Sequence, residues 1–215
     1  MNGIAGSSRT TTAPVVFLDK DGTLIEDLPY NVDPRRIRFA PGSVEGVRLL
    51  AAAGWRIAIV TNQSGVARGY FTMTQLDELG RHLERQLLGY GVEWAGFYAC
   101  PHLPDGINEF AMECECRKPA PGMLRQAAAD LGVSLDASWF VGDTWMDVAA
   151  GRAAGCRTIL VGREWRRADS YPEDARPDHA VPDLLAAARI IVAEGEGRDH
   201  PASQGTSRSA AGVLS

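Results

Sequence analysis

Short apolar runs alternate with helix-like stretches along most of the chain, and this order limits the possible folds more than any other feature. Runs rich in Val, Ile and aromatic residues predict buried strands, and apolar residues at helical spacing predict helices between them. The predicted strands cover residues 15–18, 56–60, 94–100, 139–143, 158–162 and 178–181. The predicted helices cover residues 41–54, 74–88, 121–131, 144–154 and 182–193. Because parallel strands need crossover connections, this order predicts an α/β fold with a three-layer, doubly wound parallel sheet.

A single domain of residues 14–194 accounts for these elements. Residues 1–13 and 195–215 are small, polar and without pattern, so we expect both ends to be disordered. The connections after the first two strands are filled by a loop and a helix, so we expect no separate cap domain. In the helix predicted over 74–88, Thr74 followed by Asp77 predicts a capping box.

Composition and charge exclude several classes of protein. Apolar residues make up 45% of the chain and charged residues 23%, which excludes a wholly disordered protein. The 22 basic and 27 acidic residues give a net charge of −5, so we expect no nucleic-acid partner. The sequence contains neither an apolar run of membrane-spanning length nor an export signal, so we expect no membrane partner. We therefore expect a cytoplasmic protein, and we expect it to be a monomer.

Polar side chains follow the ends of the predicted strands. Asp19 and Asp21 follow the first strand, Thr61 the second and Asp143 the fourth, and Lys118 lies between the third and the fourth. Because ligands of parallel sheets bind beyond the carboxyl ends of the strands, we expect these side chains to meet at one edge. Closely spaced carboxylates attract a divalent cation such as Mg²⁺, and a lysine and a hydroxyl beside them suit a phosphoryl group. The pattern predicts phosphoryl transfer in which a carboxylate attacks phosphorus.

Taken together, these motifs resemble those of the haloacid dehalogenase-like phosphohydrolase superfamily. The resemblance covers about residues 15–162 and rests on Asp19-Lys20-Asp21-Gly22-Thr23, Thr61, Lys118 and Gly142-Asp143-Thr144-Trp145-Met146-Asp147. It implies the haloacid dehalogenase-like, Rossmann-like version of the predicted sheet. Two positions are left open for Asp147, one in the outer shell of the metal and the other as a cap of the following helix.

The same resemblance implies a role for each of the other polar residues. Asp19 would be the nucleophile that forms an aspartyl-phosphate, and Asp21 would protonate the leaving group and then activate water. Thr61 and Lys118 would hold the transferring phosphoryl group. The catalytic Mg²⁺ would be bound by the side chain of Asp19, the backbone carbonyl of Asp21 and the side chain of Asp143.

A second group of residues has the spacing of a zinc site. Cys100 and His102 are followed, after eleven intervening residues, by Cys114 and Cys116. Three thiolates and one imidazole complete a tetrahedron, which predicts a structural Zn²⁺ site with no position for water. Cys156 has no partner at such spacing and is expected to be a small core residue. Two disulfides are a poor alternative, because no export signal precedes the cysteines.

The zinc motif and the Thr-Asn-Gln-Ser-Gly stretch narrow the resemblance. Together they are similar to the D-glycero-D-manno-heptose-1,7-bisphosphate 7-phosphatases, and histidinol-phosphate phosphatases share both features. One position departs from the pattern, because Thr144 stands where well-known members carry a lysine. The resemblance implies a small phosphorylated sugar as substrate. Its predicted contacts are Asp27, Tyr30, Thr61, Asn62, Gln63, Ser64, Arg117 and Lys118.

The leading hypothesis is therefore a magnesium-dependent phosphoric monoester hydrolase that removes the C7 phosphate of a heptose bisphosphate. A histidinol-phosphate phosphatase, or another small sugar-phosphate phosphatase, is the nearest enzyme alternative. A phospho-accepting receiver module is the alternative from a different class, but such modules lack an acid–base group equivalent to Asp21. An inactive zinc-stapled binding domain is a third alternative, and no residue supports it.

Overall fold

The computed structural model describes residues 14–196, and the two predicted tails therefore lie almost wholly outside the described residues. Its centre is a six-stranded sheet with the order β3-β2-β1-β4-β5-β6, in which every neighbouring pair is parallel. The doubly wound parallel sheet predicted from the sequence is thus confirmed. The strands are β1 (Val15–Leu18), β2 (Arg56–Asn62), β3 (Gly96–Cys100), β4 (Trp139–Gly142), β5 (Arg157–Leu160) and β6 (His179–Ala180).

Five α-helices cover the two faces of the sheet. They are α1 (Ser43–Ala52), α2 (Met73–Gly89), α3 (Gly122–Leu131), α4 (Trp145–Ala154) and α5 (Leu184–Glu196). Short 3₁₀ helices occupy Pro34–Arg36, Gly162–Ser170 and Glu173–Ala175. No helix within residues 14–196 is both long enough and apolar enough to cross a membrane.

The alternation of side chains along β1 separates the core into two layers. Val16 and Leu18 pack with apolar residues of α1, α2 and α5, whereas Val15 and Phe17 pack with residues of α3 and α4. All four residues of β1 have no exposed surface. A strand that is apolar on both faces is typical of the interior of a parallel sheet. This burial makes β1 the central support of the residues that follow it.

The start of α2 corrects one prediction. The capping box uses Thr72 and Gln75, and the box predicted at Thr74 and Asp77 is wrong. Thr72 Oγ1 accepts from the Gln75 N–H at 3.2 Å, and Gln75 Oε1 accepts from the Thr72 N–H at 2.9 Å. Thr72 has the extended backbone of an N-cap, which places Thr74 inside the first turn. A glutamine also reaches back to the cap more easily than the shorter aspartate.

Strand β2 extends two residues beyond its predicted end. Thr61 and Asn62 pair with Ala99 and Cys100 of β3, so both belong to the ladder rather than to a loop. At the neighbouring strand, the Asp19 N–H donates to the Val141 carbonyl at 2.9 Å. The sheet itself therefore fixes the backbone of the first predicted catalytic residues.

Candidate active site

The Lys118 ammonium group lies between two carboxylates at the carboxyl edge of the sheet. Its Nζ is 2.6 Å from Asp19 Oδ1 and 2.6 Å from Asp147 Oδ1, and it donates to the Val60 carbonyl at 3.1 Å. The side chain is buried. Burial alone would lower the pKa of Lys118, but attraction to Asp147 and Asp19 outweighs this effect, so the pKa is raised. The ammonium group therefore stays charged at neutral pH.

Three carboxylates surround this lysine, and they fit a divalent cation. Oxygens of Asp19, Asp143 and Asp147 lie within 4.8 Å of one another. Burial, followed by repulsion from the other two carboxylates, raises the pKa of Asp143 to about 8. Burial also raises the pKa of Asp19 to about 7, although Lys118 opposes the shift. Gly22 (φ +79°) permits this approach, because a Cβ at that position would collide with Asp143 Oδ2. One lysine leaves two negative charges unbalanced, and hard oxygen ligands of this kind suit Mg²⁺.

The carboxylate of Asp21 is separate from this cluster. Its Oδ1 accepts from Lys20 Nζ at 2.8 Å, and its Oδ2 accepts from Gln63 Nε2 at 2.9 Å. The same Gln63 nitrogen is 2.9 Å from Thr61 Oγ1. Two carboxylates from one short motif are thus held in different environments, Asp19 beside Lys118 and Asp21 beside Lys20. The backbone carbonyl of Asp21 stays a predicted metal ligand.

Sequence reasoning missed the part that Lys20 takes in the site. Only 1% of Lys20 is exposed, although lysine is rarely buried. A signal was present, since a lysine placed between two aspartates can pair with one of them as soon as the chain turns. Burial of the whole side chain, however, follows from the packing around the turn and is not visible in the motif.

Asn62 contacts the backbone of Lys118 on both sides. Its Oδ1 accepts from the Lys118 N–H at 3.0 Å, and its Nδ2 donates to the Lys118 carbonyl at 3.1 Å. The two residues are 56 positions apart in the chain. This pair of hydrogen bonds joins the end of β2 to the loop that carries the lysine.

Two adjoining cavities open beside these residues. The smaller, of about 170 Å³, is lined by Asp19, Asp21, Asp27, Thr61, Asn62, Lys118, Asp143, Thr144, Met146 and Asp147. The other, of about 290 Å³, is lined by Lys20, Asp21, Asp27, Pro29, Tyr30, Asn31, Asn62, Gln63, Ser64 and Gly65. The structure therefore brings together most of the predicted substrate contacts next to the predicted catalytic residues. A larger cavity of about 710 Å³ shares Asp27 and Asp143 but includes neither Thr61 nor Lys118.

Tyr30 forms part of the wall of the second cavity. Its backbone has a φ of +54°, which is uncommon for a residue other than glycine. Its ring makes an edge contact with Tyr70, with 4.8 Å between ring centroids. Strained conformations of this kind persist where surrounding contacts hold them, often beside functional sites.

The predicted zinc ligands come together in one cluster. Cys100 Sγ is 3.6 Å from Cys114 Sγ and 3.0 Å from Cys116 Sγ, and His102 Nδ1 is 3.2 Å from Cys116 Sγ. These separations exceed a disulfide bond of about 2.05 Å, and all the cysteines are free. The two sulfur–sulfur distances are shorter than the distance of about 3.8 Å between sulfurs around a tetrahedral zinc ion. Burial raises the pKa of Cys156 to about 12, and this buried residue is not one of the four whose ligand atoms cluster.

Arg117 connects the cysteine cluster to Lys118, which follows it in the chain. Its Nη1 donates to the His102 carbonyl at 3.3 Å. The side chain is half-buried, and it is not among the residues that line either of the two adjoining cavities. Of the predicted substrate contacts, Arg117 is therefore the one that the structure places outside them.

Comparisons with known proteins agree with this site. The sequence model of the HAD-hydrolase-like family matches residues 115–187. The chain is 42% identical over 147 residues to the D-glycero-beta-D-manno-heptose-1,7-bisphosphate 7-phosphatase of Pasteurella multocida. These aligned residues cover 68% of this chain and 80% of that protein. It is also 42% identical over 155 residues to the Yersinia pestis enzyme of the same name, and this alignment covers 72% of this chain and 82% of that enzyme. This chain belongs to that heptose-bisphosphate phosphatase family.

A solved structure supports the same assignment. The D,D-heptose 1,7-bisphosphate phosphatase of B. bronchiseptica superposes with a TM-score of 0.72 at 33% identity, covering 84% of this chain and 99% of the other. That crystal structure contains magnesium and phosphate. The haloacid dehalogenase-like fold and the resemblance inferred from the motifs are therefore confirmed.

In this member of the heptose-bisphosphate phosphatase family, Thr144 supports a carboxylate at the position where the resemblance leads one to expect a lysine. The Thr144 N–H donates to Asp147 Oδ2 at 3.0 Å, and its hydroxyl donates to the same oxygen at 2.6 Å. Asp147 caps α4 through these bonds and contacts Lys118 through its other oxygen. Of the two positions left open for Asp147, the structure shows the helix cap, and the same side chain also belongs to the cluster of three carboxylates.

Proposed function

We propose that this chain hydrolyses the C7 phosphate of D-glycero-D-manno-heptose 1,7-bisphosphate by way of an aspartyl-phosphate. The single observation that carries the proposal is the separation of two carboxylates from one motif. Asp19 lies against Lys118 within the cluster of three carboxylates, whereas Asp21 is held outside it by Lys20 and Gln63. A nucleophile and an acid–base group need these two different environments.

In the first step, a carboxylate oxygen of Asp19 attacks phosphorus while the bond between phosphorus and the sugar O7 breaks. Asp21 donates its proton to the departing oxygen, which leaves as the sugar alcohol. In the second step, ionised Asp21 accepts a proton from water, and the water oxygen attacks the phosphorus of the aspartyl-phosphate. Inorganic phosphate leaves, and the carboxylate of Asp19 is restored. Dividing the reaction in this way replaces one difficult displacement by two easier ones.

The phosphoryl group occupies the smaller cavity in this proposal. The Lys118 ammonium group and the Thr61 hydroxyl line it and contact phosphoryl oxygens, which stabilises the negative charge of the transition state. The side chains of Asp19 and Asp143 and the backbone carbonyl of Asp21 would hold Mg²⁺. When bound, Mg²⁺ would neutralise phosphoryl oxygens that a single lysine leaves unbalanced.

The sugar occupies the second cavity. Asp27 and Ser64 supply acceptors and a donor for hydroxyl groups, and the Tyr30 ring forms an apolar wall. Asn62 and Gln63 also line this cavity, but their amide groups are bonded to Lys118, Asp21 and Thr61. We assign Arg117 to the second phosphate of the substrate, because its planar guanidinium binds phosphate in a bidentate manner. That role requires the Arg117 side chain to turn from the His102 carbonyl, its partner at 3.3 Å.

Cys100, His102, Cys114 and Cys116 would hold a structural Zn²⁺, and the mutual proximity of their ligand atoms supports this assignment. Bound zinc would restrain the segment that carries Arg117 and Lys118. We also propose that the protein acts as a cytoplasmic monomer with no nucleic-acid or membrane partner. Light scattering of the purified chain tests the oligomeric state.

Phosphate release from a panel of substrates tests the function. The panel holds both anomers of D-glycero-D-manno-heptose 1,7-bisphosphate, fructose 1,6-bisphosphate and histidinol phosphate. We expect the highest kcat/KM on a heptose bisphosphate, with phosphorus NMR showing loss of the C7 phosphate and retention of the C1 phosphate. Faster turnover of histidinol phosphate would overturn the heptose assignment. Release that stops at one equivalent would instead indicate a receiver module.

A further inference from the structure

We propose that Gln63 is a positioning residue that orients both the Asp21 carboxylate and the Thr61 hydroxyl for phosphoryl transfer. The inference rests on the proposed function and extends it. Gln63 Nε2 is 2.9 Å from Asp21 Oδ2 and 2.9 Å from Thr61 Oγ1. Only 6% of Gln63 is exposed, so water does not compete freely for these contacts.

Chemistry determines which way the Gln63 amide points. An ionised carboxylate only accepts hydrogen bonds, so the nitrogen rather than the oxygen of the amide must face Asp21. The amide nitrogen carries two hydrogens, one for Asp21 Oδ2 and one for Thr61 Oγ1. Because Thr61 accepts from Gln63, its own hydroxyl hydrogen is left to donate elsewhere. Thr61 lines the cavity that contains Asp19, where a phosphoryl oxygen would accept that hydrogen.

The backbone of Gln63 is also held in place. Its N–H donates to the Cys100 carbonyl at 2.7 Å, directly after β2 ends at Asn62. The other oxygen of Asp21 accepts from Lys20 at 2.8 Å. The carboxylate of Asp21 therefore accepts a hydrogen bond at each oxygen. Loss of Gln63 would leave this carboxylate free to rotate about its side-chain bonds. General acid catalysis depends on such alignment with the leaving oxygen.

The test compares two leaving groups in wild-type protein and in Gln63→Ala. The sugar alkoxide of heptose bisphosphate needs a proton from Asp21 to depart, whereas the 4-nitrophenolate of 4-nitrophenyl phosphate leaves as a stable anion. We expect kcat/KM for heptose bisphosphate to fall about 10-fold to 100-fold, which is part of the usual contribution of a general acid. We expect the fall for 4-nitrophenyl phosphate to be at least about tenfold smaller. Gln126→Ala, in an exposed pair with Asp130 on α3, is the matched control and should change neither value.

Other outcomes overturn the inference. Equal falls for both substrates would remove the role toward Asp21, because a change in the Thr61 hydroxyl or in the fold affects both substrates alike. A rise in the KM of the sugar alone at unchanged kcat would show a direct substrate contact. Gln63→Met, which keeps the length of the side chain without its donor, replaces Gln63→Ala if the smaller variant does not fold.

A double variant tests the coupling on heptose bisphosphate alone. In an Asp21→Asn background, where the acid–base carboxylate is absent, Gln63→Ala should reduce kcat/KM by a much smaller factor than in wild type. The same factor in both backgrounds would overturn the inference. A wild-type chain that releases no phosphate from any substrate would overturn the proposed function itself, so the two failures are distinguishable.

Discussion

At the scale of single residues, the site is a problem of charge balance. Lys118 is the cation in contact with both Asp19 and Asp147, and Asp143 adds a third carboxylate to the same cluster. Removing one member leaves the others buried, so each substitution changes both chemistry and electrostatics. The most informative substitutions are therefore those that keep the shape of the side chain.

Replacing Asp19 by asparagine keeps the shape of the side chain and removes the proposed nucleophile. An amide oxygen does not attack phosphorus in this way, and Lys118 keeps Asp147 as its partner. We expect kcat to fall at least about 10³-fold while the protein stays folded, because losing a nucleophile is among the largest single effects on catalysis. Phosphate release and circular dichroism measure the two quantities. Undiminished turnover would remove Asp19 from the role of nucleophile.

Chelation of divalent cations tests the assignment of the carboxylate cluster. We expect phosphate release to stop after treatment with EDTA and to return when Mg²⁺ is added, since the single charge of Lys118 is shared by Asp19 and Asp147, and Asp143 forms no salt bridge with it. Ca²⁺ should restore much less activity, because its longer and more numerous ligand bonds do not suit a site with few protein oxygens. Full activity in excess EDTA would contradict the magnesium assignment.

Several residues of the site could be predicted because their type alone implies chemistry. Asp19 and Asp143 belong to this class and meet because each follows one of two neighbouring strands, whereas Cys100, His102, Cys114 and Cys116 meet within one loop that starts at the end of β3. The hydrogen-bond partners of Asn62 and Gln63 could not be predicted, since an amide side chain has the same sequence signal whether it contacts a substrate or a backbone. Only the packing of β2 against the loop of Lys118 shows that the Asn62 amide contacts a backbone.

At the scale of elements, the segment that contains Cys114 and Cys116 also carries Lys118, the proposed phosphoryl-binding lysine. Cys116 is two residues before Lys118, and Arg117 between them donates to the carbonyl of His102. The proposed zinc ligands and the lysine thus belong to one continuous segment, and Asn62 joins the Lys118 end of this segment to β2.

Substituting Cys114 by serine tests this link. We expect the variant to lose zinc, measured by elemental analysis, and to show kcat/KM lowered by about 10-fold to 100-fold, as found when supporting contacts of a metal site are removed. Cys156→Ser is the matched control, because that thiol lies in the core and should leave the zinc content unchanged. A wild-type protein that contains no zinc would refute the interpretation of the cluster.

The last two strands and the last helix meet at an ion pair that responds to pH. Arg157 of β5 forms a salt bridge with Glu194 of α5, and His179 Nε2 of β6 is 2.8 Å from the same carboxylate. Hydrogen bonding from Arg157 lowers the pKa of Glu194. A lowered carboxyl pKa stabilises the fold above the unfolded value of about 4.3, and this contribution is lost as pH falls below it.

We therefore expect Glu194→Gln to lower the free energy of unfolding by about 0.2–1 kcal/mol at pH 7, since the partners are partly exposed. The difference from wild type should shrink as pH falls through the acid range. Urea unfolding at pH 7 and pH 3.5 measures both values, and Glu84→Gln on the exposed side of α2 is a control. A deficit that grows on acidification would contradict the assigned sign.

At the scale of the whole molecule, the sheet and its helices were predictable and the details of their ends were not. Alternation of apolar strands with amphipathic helices indicates the parallel sheet, because near-continuous apolar strands are typical of parallel sheets that helices cover on both faces. The extra length of β2 and the true cap of α2 depend on hydrogen bonds with β3 and with Gln75, which periodicity does not report. Edge strand β6 has only two residues, and it lies within the strand predicted over residues 178–181.

The burial of β1 has a consequence for how the protein works over time. Its four residues are fully enclosed at the centre of the sheet, and the next N–H, that of Asp19, is bonded to β4. Such amides exchange with solvent only when the molecule opens globally. We expect the Asp19 amide to be among the slowest to exchange deuterium, and the nucleophile to keep its place throughout the catalytic cycle. We therefore expect that motion of the surrounding loops, and not of β1, accompanies substrate entry and product release.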